Sequence, residues 1–288
     1  MKQRAVLLLS LIFNVGSYAA QDDFPVLKGP YLGQKPPGMT PEVFAPGIIS
    51  TPDRNEFFAS FSPDGKEFYF NRGLTIMVSL LRDGCWTAPK PASFSAGNRA
   101  HEAHVTYDNR RVFWGCFTDN GYAIYYNERN GEGWSEAKNA GMAGAGMCVT
   151  SDINGQVFIT RHIPGEAPVI ANVLMNNGEF TGMIPLKGRI NETKGVENTK
   201  GFRNMSHPAV YPDGSYILFD CNGGSHPWVS FRQKDGTWGE GVDLTRCGVG
   251  KEFGLATISR DGEYIFFSGN DDIYWVSAKI VEELRPKQ

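Results

Sequence analysis

Along most of the chain, short apolar runs with a period of two come in pairs, and each pair is separated by a turn built on Asp with Gly or Asn. The clearest example is "FSPDGKEFYFNR" at residues 61–72. Four further copies follow: "VTYDNRRVFWGC" (105–116), "VTSDINGQVFITR" (149–161), "VYPDGSYILFDC" (210–221) and "ISRDGEYIFFSG" (258–269). Each reads as a β-hairpin whose second strand is rich in β-branched and aromatic residues. Aligned on Asp64, Asp108, Asp152, Asp213 and Asp261, the repeats are spaced by 44, 44, 61 and 48 residues. Strand-built repeats of this length predict four-stranded antiparallel blades around a central channel, an all-β five-bladed β-propeller.

A second periodic feature sits ahead of each fourth strand: Gly84 with Trp86, Gly133 with Trp134, Gly178 with Phe180 and Gly236 with Trp238. Recurrence in every such blade argues for an aromatic packed between blades rather than a ligand platform. After Trp86, Trp134 and Trp238 come segments such as "TAPKPASFS", and the fifth repeat has none of its own. The stretch "PEVFAPGIIS" (41–50) has that character, so the N-terminal strand is expected to join the C-terminal blade and close the ring. The propeller then spans residues 41–288 as one domain, preceded by an extended Pro- and Gly-rich arm at 21–40. The turn aspartates are accounted for by bonds to nearby backbone.

The Ser-Pro-Asp-Gly-Lys hairpin at 62–66, its degenerate copies and the Gly-x-Trp segments resemble the TolB-like propeller repeats, the Pro-Asp relatives of WD repeats in exported bacterial proteins. The resemblance covers residues 41–280. It implies the fold and is weak for function, because that repeat serves binding scaffolds, peptidase-associated propellers and polysaccharide lyases alike.

Charge and the N-terminus narrow the setting. A net charge of -3 provides no basic field for nucleic acid or an anionic membrane. Residues 1–20 carry Lys2 and Arg4, an apolar run and then small residues, the plan of a signal peptide cleaved after Ala19 or Ala20. No later apolar run is long enough to span a bilayer, so a monomer without membrane insertion, periplasmic or secreted, is expected. The five cysteines are an odd number without the clustering of a disulfide framework and read as buried free thiols.

Candidate chemistry collects on one face. The sixth and fourth positions before the aligned Asp hold Phe58, Glu102, Gly146, His207 and Leu255, then Ser60, His104, Cys148, Ala209 and Thr257. A period of two puts Glu102 and His104 on the same side of their strand, with His101 at its top. The ends of second strands add Arg72, Arg161 and Asp220, and the connections add His162, His226, Asn270 and Asp271, so all five histidines map to the top face. Glu102, His104 and His207 are the candidates for a catalytic acid–base pair or a divalent metal, although no motif requires a cofactor. Arg72, His101, Arg161, His162, Asp220, His226 and Asn270 are the candidate ligand contacts. The preferred reading is a binding or scaffold module for a peptide, glycan or cell-envelope partner. The alternative is a polysaccharide lyase or hydrolase whose Arg72 and Arg161 grip a uronate carboxylate. The insertion at 186–205 belongs to the top, either as a lid bearing Arg189, Lys194 or Lys200 or as a solvated loop.

Overall fold

The computed structural model describes residues 24–52, 54–176, 178–194, 205–221 and 225–287, with residues 225 and 226 described by backbone alone. Five antiparallel sheets form a ring, and the chain is a five-bladed β-propeller. With blades numbered in chain order, the inner strands are Glu56–Phe61, Ala100–Val105, Thr150–Ser151, Met205–Val210 and Gly254–Ile258. The second strands are Glu67–Arg72, Arg111–Thr118, Val157–Arg161, Tyr216–Cys221 and Tyr264–Gly269. Second strands are apolar on both faces because every blade is sandwiched between two others. Phe68 and Phe70 pack with Phe266 and Trp275 of blade five, while Tyr69 between them packs with Trp114 of blade two. The core accordingly divides into clusters that each lie between neighbouring blades.

The outermost strand of blade five is Glu42–Val43, paired antiparallel as Glu42 with Trp275 and Val43 with Tyr274. The ring is therefore closed by the N-terminal strand. Phe44 continues the pairing by donating its N–H to Ile273 O at 2.7 Å, and its fully buried ring packs edge-on to Phe68, Phe266 and Trp275.

The arm before it is docked rather than merely extended. Strand Leu27–Lys28 pairs with Cys85–Trp86 of blade one, and Trp86 Nε1 donates to Gly29 O at 2.8 Å. Leu32 is completely buried, and Tyr31 packs against Phe61, Tyr264 and Trp275 while its hydroxyl donates to Asp261. Residues 24–34 thus clasp blades one and five across the seam that Phe44 closes. The expected signal peptide at 1–20 lies outside the described residues.

The recurring aromatics pack between blades. Trp134 of blade two donates to the Tyr69 hydroxyl of blade one at 3.0 Å, and Trp238 of blade four meets Phe158 of blade three edge-on. The turn aspartates serve their own hairpins: Asp64 Oδ1 accepts from Ser62 Oγ and Lys66 N, and Asp261 Oδ1 from Ser259 Oγ and Glu263 N. The first half of the 186–205 insertion is anchored, with Ile190 buried, Asn191 bracketing both backbone groups of Ile170, and Arg189 paired to Glu240 at 2.5 Å. Lys200 lies outside the described residues. Cys116 and Cys148 are buried free thiols, whereas the free thiols Cys85 and Cys247 are only partly buried.

Because Phe44 holds the seam, Phe44→Ala is expected to cost about 3–5 kcal/mol of stability. Deletion through Ser50 should lower the denaturation midpoint more than deletion through Thr40, since only the former opens the ring; urea titration of the three variants checks both.

Candidate functional site

One backbone irregularity recurs in every inner strand and builds the site. Phe58, Glu102, Cys148, His207 and Leu255 all have left-handed φ, between 48° and 62°, and the ladder shifts register beside Phe58, Glu102, His207 and Leu255. Phe58, Glu102, His207 and Leu255 are the bulged residues of their strands, Cys148 repeats their backbone conformation two residues ahead of the short strand Thr150–Ser151, and a bulge removes its N–H from the ladder. In every case a polar side chain takes that N–H. Phe58 N–H donates to Ser268 Oγ (3.1 Å), Glu102 to Asn71 Oδ1 (2.9 Å), Cys148 to Glu102 Oε2 (2.8 Å), His207 to Thr160 Oγ1 (3.0 Å) and Leu255 to Asp220 Oδ2 (2.7 Å). Each acceptor belongs to the preceding blade around the ring, so the five bonds stitch every blade to the next.

Four acceptors, Asn71, Thr160, Asp220 and Ser268, stand one residue before the end of their second strands. The counterpart in blade two is Gly115, and a Cβ there would collide with the Tyr122 hydroxyl. Glu102, itself a bulged residue, reaches across to Cys148 instead. The ring's symmetry is broken at this one place.

Two expectations from the sequence are corrected here. The hairpin of blade three is one residue shorter than that of blade one, with Asp152 N bonding Gln156 O where Ser62 N bonds Glu67 O. Asp152 therefore corresponds to Ser62 rather than Asp64, and Cys148 rather than Gly146 is the counterpart of Glu102. Nor do Glu102 and His104 act together, because the bulge at Glu102 interrupts the period of two. His104 Nε2 faces Ser151 Oγ at 2.8 Å lower in the channel, and burial followed by the nearby Arg260 charge holds its pKa well below the usual histidine value.

Around Glu102 the structure gathers His101, His207 and Asp220. Glu102 Oε1 lies 3.4 Å from His101 Nδ1 and 3.9 Å from His207 Nε2. His207 Nδ1 is 3.0 Å from Asp220 Oδ2, and its Nε2 is 3.3 Å from Met147 Sδ. All four titratable residues are at least nine-tenths buried. Burial opposes the Glu102 charge, but His101, His207 and the Cys148 N–H outweigh it and hold the carboxyl at about 2. For His207, burial favours the neutral ring, yet the bond and charge of Asp220, aided by Glu102, raise its pKa. Burial, then the charge of Glu102, pushes the Tyr122 phenol and the Cys148 thiol well up.

Several buried polar atoms here lack a hydrogen bond: His101 Nε2, Asp220 Oδ1, Ser206 Oγ and the Tyr122 hydroxyl. Above them the His101 ring packs 4.9 Å from Phe117 and 5.3 Å from Tyr122. Phe117 is 37% exposed, and the Arg99 guanidinium lies 5.6 Å over its ring.

The remaining candidates lie apart from this cluster. Arg72 pairs with the buried Glu56 at 2.7 Å, Arg161 with Glu166 at 3.2 Å, and His162 and Asn270 are exposed on connections. Asn270 and Asp271 form the left-handed two-residue turn of blade five. The side chain of His226 lies outside the described residues. No three His, Cys, Asp or Glu side chains converge as a metal site among the described residues. Tyr122, Met147 and Ser206 escaped the sequence reading. The sequence signal for Tyr122 is Gly115, in a place where the other second strands carry a polar residue.

No protein-family model and no curated protein matches the chain. Among solved structures it is similar to a putative TolB from Agrobacterium tumefaciens, with 16% identity over 75% of this chain and 70% of that one and a TM-score of 0.49. It is also similar to TolB from Acinetobacter baumannii, with 13% identity over 77% of this chain, 54% of that chain and a TM-score of 0.47. A gluconolactonase from Xanthomonas campestris shares 10% identity over 89% of this chain and 98% of that one, with a TM-score of 0.47. The chain thus spans about half the length of the Acinetobacter protein.

A raised folded-state pKa means that His207 adds stability below its unfolded value of about 6.5, and that this contribution is lost as pH rises through the folded value. The stability difference between wild type and His207→Gln should therefore be largest below pH about 6.5 and shrink on the alkaline side, as read by urea titration at a series of pH values. Asp220→Ala, which strips both His207 and the Leu255 N–H, should cost about 3–5 kcal/mol in the same assay.

Proposed function

We propose that this chain is an exported, monomeric binding propeller whose channel mouth at blades two to four takes a neutral or cationic, hydroxyl- or amide-rich ligand such as a glycan or a peptide. One observation carries the reading: the ionisable groups are already committed to the scaffold, while polar atoms beside them are not. Glu102 and Asp220 each give an oxygen to a backbone N–H of the next blade, and both nitrogens of His207 are engaged. Moving any of these as an acid or base loosens a seam between blades. His101 Nε2, Ser206 Oγ and Asp220 Oδ1, by contrast, are buried without partners beside a half-exposed Phe117. Unpaired polar groups next to an accessible aromatic favour a ligand that supplies the missing bonds and stacks on the ring.

The Glu102 and Asp220 carboxylates both stand at this corner. That disfavours an acidic polysaccharide, as does the commitment of Arg72 to Glu56. No helix among the described residues is long and apolar enough to cross a membrane. Export rests on the expected signal at 1–20.

A second reading has one specific observation in its favour. The contact of His207 Nδ1 with Asp220 is the kind that orients a general base, so hydrolase chemistry on a glycan keeps a place.

The test is a screen of the mature protein against immobilised neutral glycans and peptides, with Phe117→Ala and His101→Ala alongside. Binding weakened about tenfold or more by each substitution, with the ligand recovered intact, is the expected result. Turnover that vanishes in His207→Gln would replace the binding reading with the enzymatic one. Binding indifferent to both substitutions would move the site elsewhere.

A further inference from the structure

At the opposite end of the channel lies a second polar site that the mouth does not use. Arg260, in the hairpin turn of blade five, carries its side chain under the inner strands. Its Nε donates to Phe61 O at 2.8 Å and its Nη2 to Val105 O, the carbonyls that end the inner strands of blades one and two. The guanidinium lies 4.5 Å over the Tyr107 ring. Among the described residues no carboxylate pairs with it. A guanidinium has five N–H donors and does not deprotonate, so two carbonyl bonds leave both donors and a full charge to be answered. Burial disfavours the charged form and lowers the Arg260 pKa.

Against Arg260 is a cavity of about 20 Å³ whose polar lining comes from Ser60, His104, Thr150, Ser151 and Thr257. That space holds a body about the size of one water. Its walls come from all five inner strands, and none of the residues lining it is Asp or Glu. His104, held neutral, adds no competing cation. A positive group without a counter-charge, facing a water-sized cavity lined by hydroxyl residues, is the chemistry of a small monoanion site. Sulfate, phosphate and organic acids are too large for it.

We propose that the lower channel is a halide site, filled by chloride, with Arg260 supplying the charge and the cavity selecting by size. An ion there would face all five inner strands at once, so its occupancy would stabilise the closed ring. The site is independent of any ligand at the mouth.

The experiment is thermal unfolding of the mature protein in sodium chloride, sodium bromide and sodium gluconate at matched ionic strength, together with chlorine-35 NMR line broadening. A bound halide should raise Tm by about 2–4 °C per tenfold increase above its dissociation constant. Chloride and bromide should both do so, gluconate should not, and chloride should show exchange broadening. Arg260→Gln should abolish the halide response and the broadening. Should that variant fail to fold, Thr150→Val, which leaves Arg260 in place and removes a lining hydroxyl, should weaken both by about tenfold. Equal Tm in all three salts with no broadening overturns the proposal. So does a halide response that survives in both variants.

Discussion

The ring depends on one interaction repeated between neighbours: a polar side chain from one blade answers the N–H that a bulge has freed in the next. A buried N–H left without a partner costs about 1–3 kcal/mol, and a non-glycine residue held in a left-handed conformation costs about as much again. Neither cost is met within the blade that incurs it. The acceptor always comes from the blade before, so no blade is satisfied alone, and the last blade must meet the first for the accounts of all five to close. This ties secondary structure to closure more tightly than apolar packing, which is not directional.

Closure itself is made by the strand Glu42–Val43 and by Phe44. The clasp of residues 24–34 covers the same seam from outside, with Trp86 and Tyr31 as its fastenings. A ring held at its seam by two separate segments resists opening at the point where a propeller is otherwise weakest. The five inner strands can then present a fixed channel, with histidines and carboxylates above and Arg260 below.

The symmetry break in blade two turns that scaffold into a site. With glycine at position 115 the usual acceptor is missing, and Glu102 moves across to hold Cys148. That brings Glu102 to His207, and Tyr122 enters the vacated space. Buried charge, an oriented imidazole and unpartnered polar atoms follow at this corner because one side chain has two duties. Recognition and ring integrity are consequently coupled through the same few residues.

The hairpins, the five blades and the closing strand were legible in the sequence because they rest on local patterns: alternation, turn chemistry and repeat length. The polar residue late in four of the second strands, Asn71, Thr160, Asp220 and Ser268, was also visible, as was Gly115 in its place. Their purpose was not visible, because each serves a backbone group in another blade, dozens of residues away or across the ring. The same holds for Glu102 and His104, which strand alternation puts on one face. A bulge inverts such a rule through a single φ angle, and nothing in the side chains of Phe58, Glu102, Cys148, His207 and Leu255 announces it. Local sequence thus determined what each blade is. Only the closed ring decided which polar groups meet, since a bulged N–H is tolerable only where a neighbouring blade can answer it.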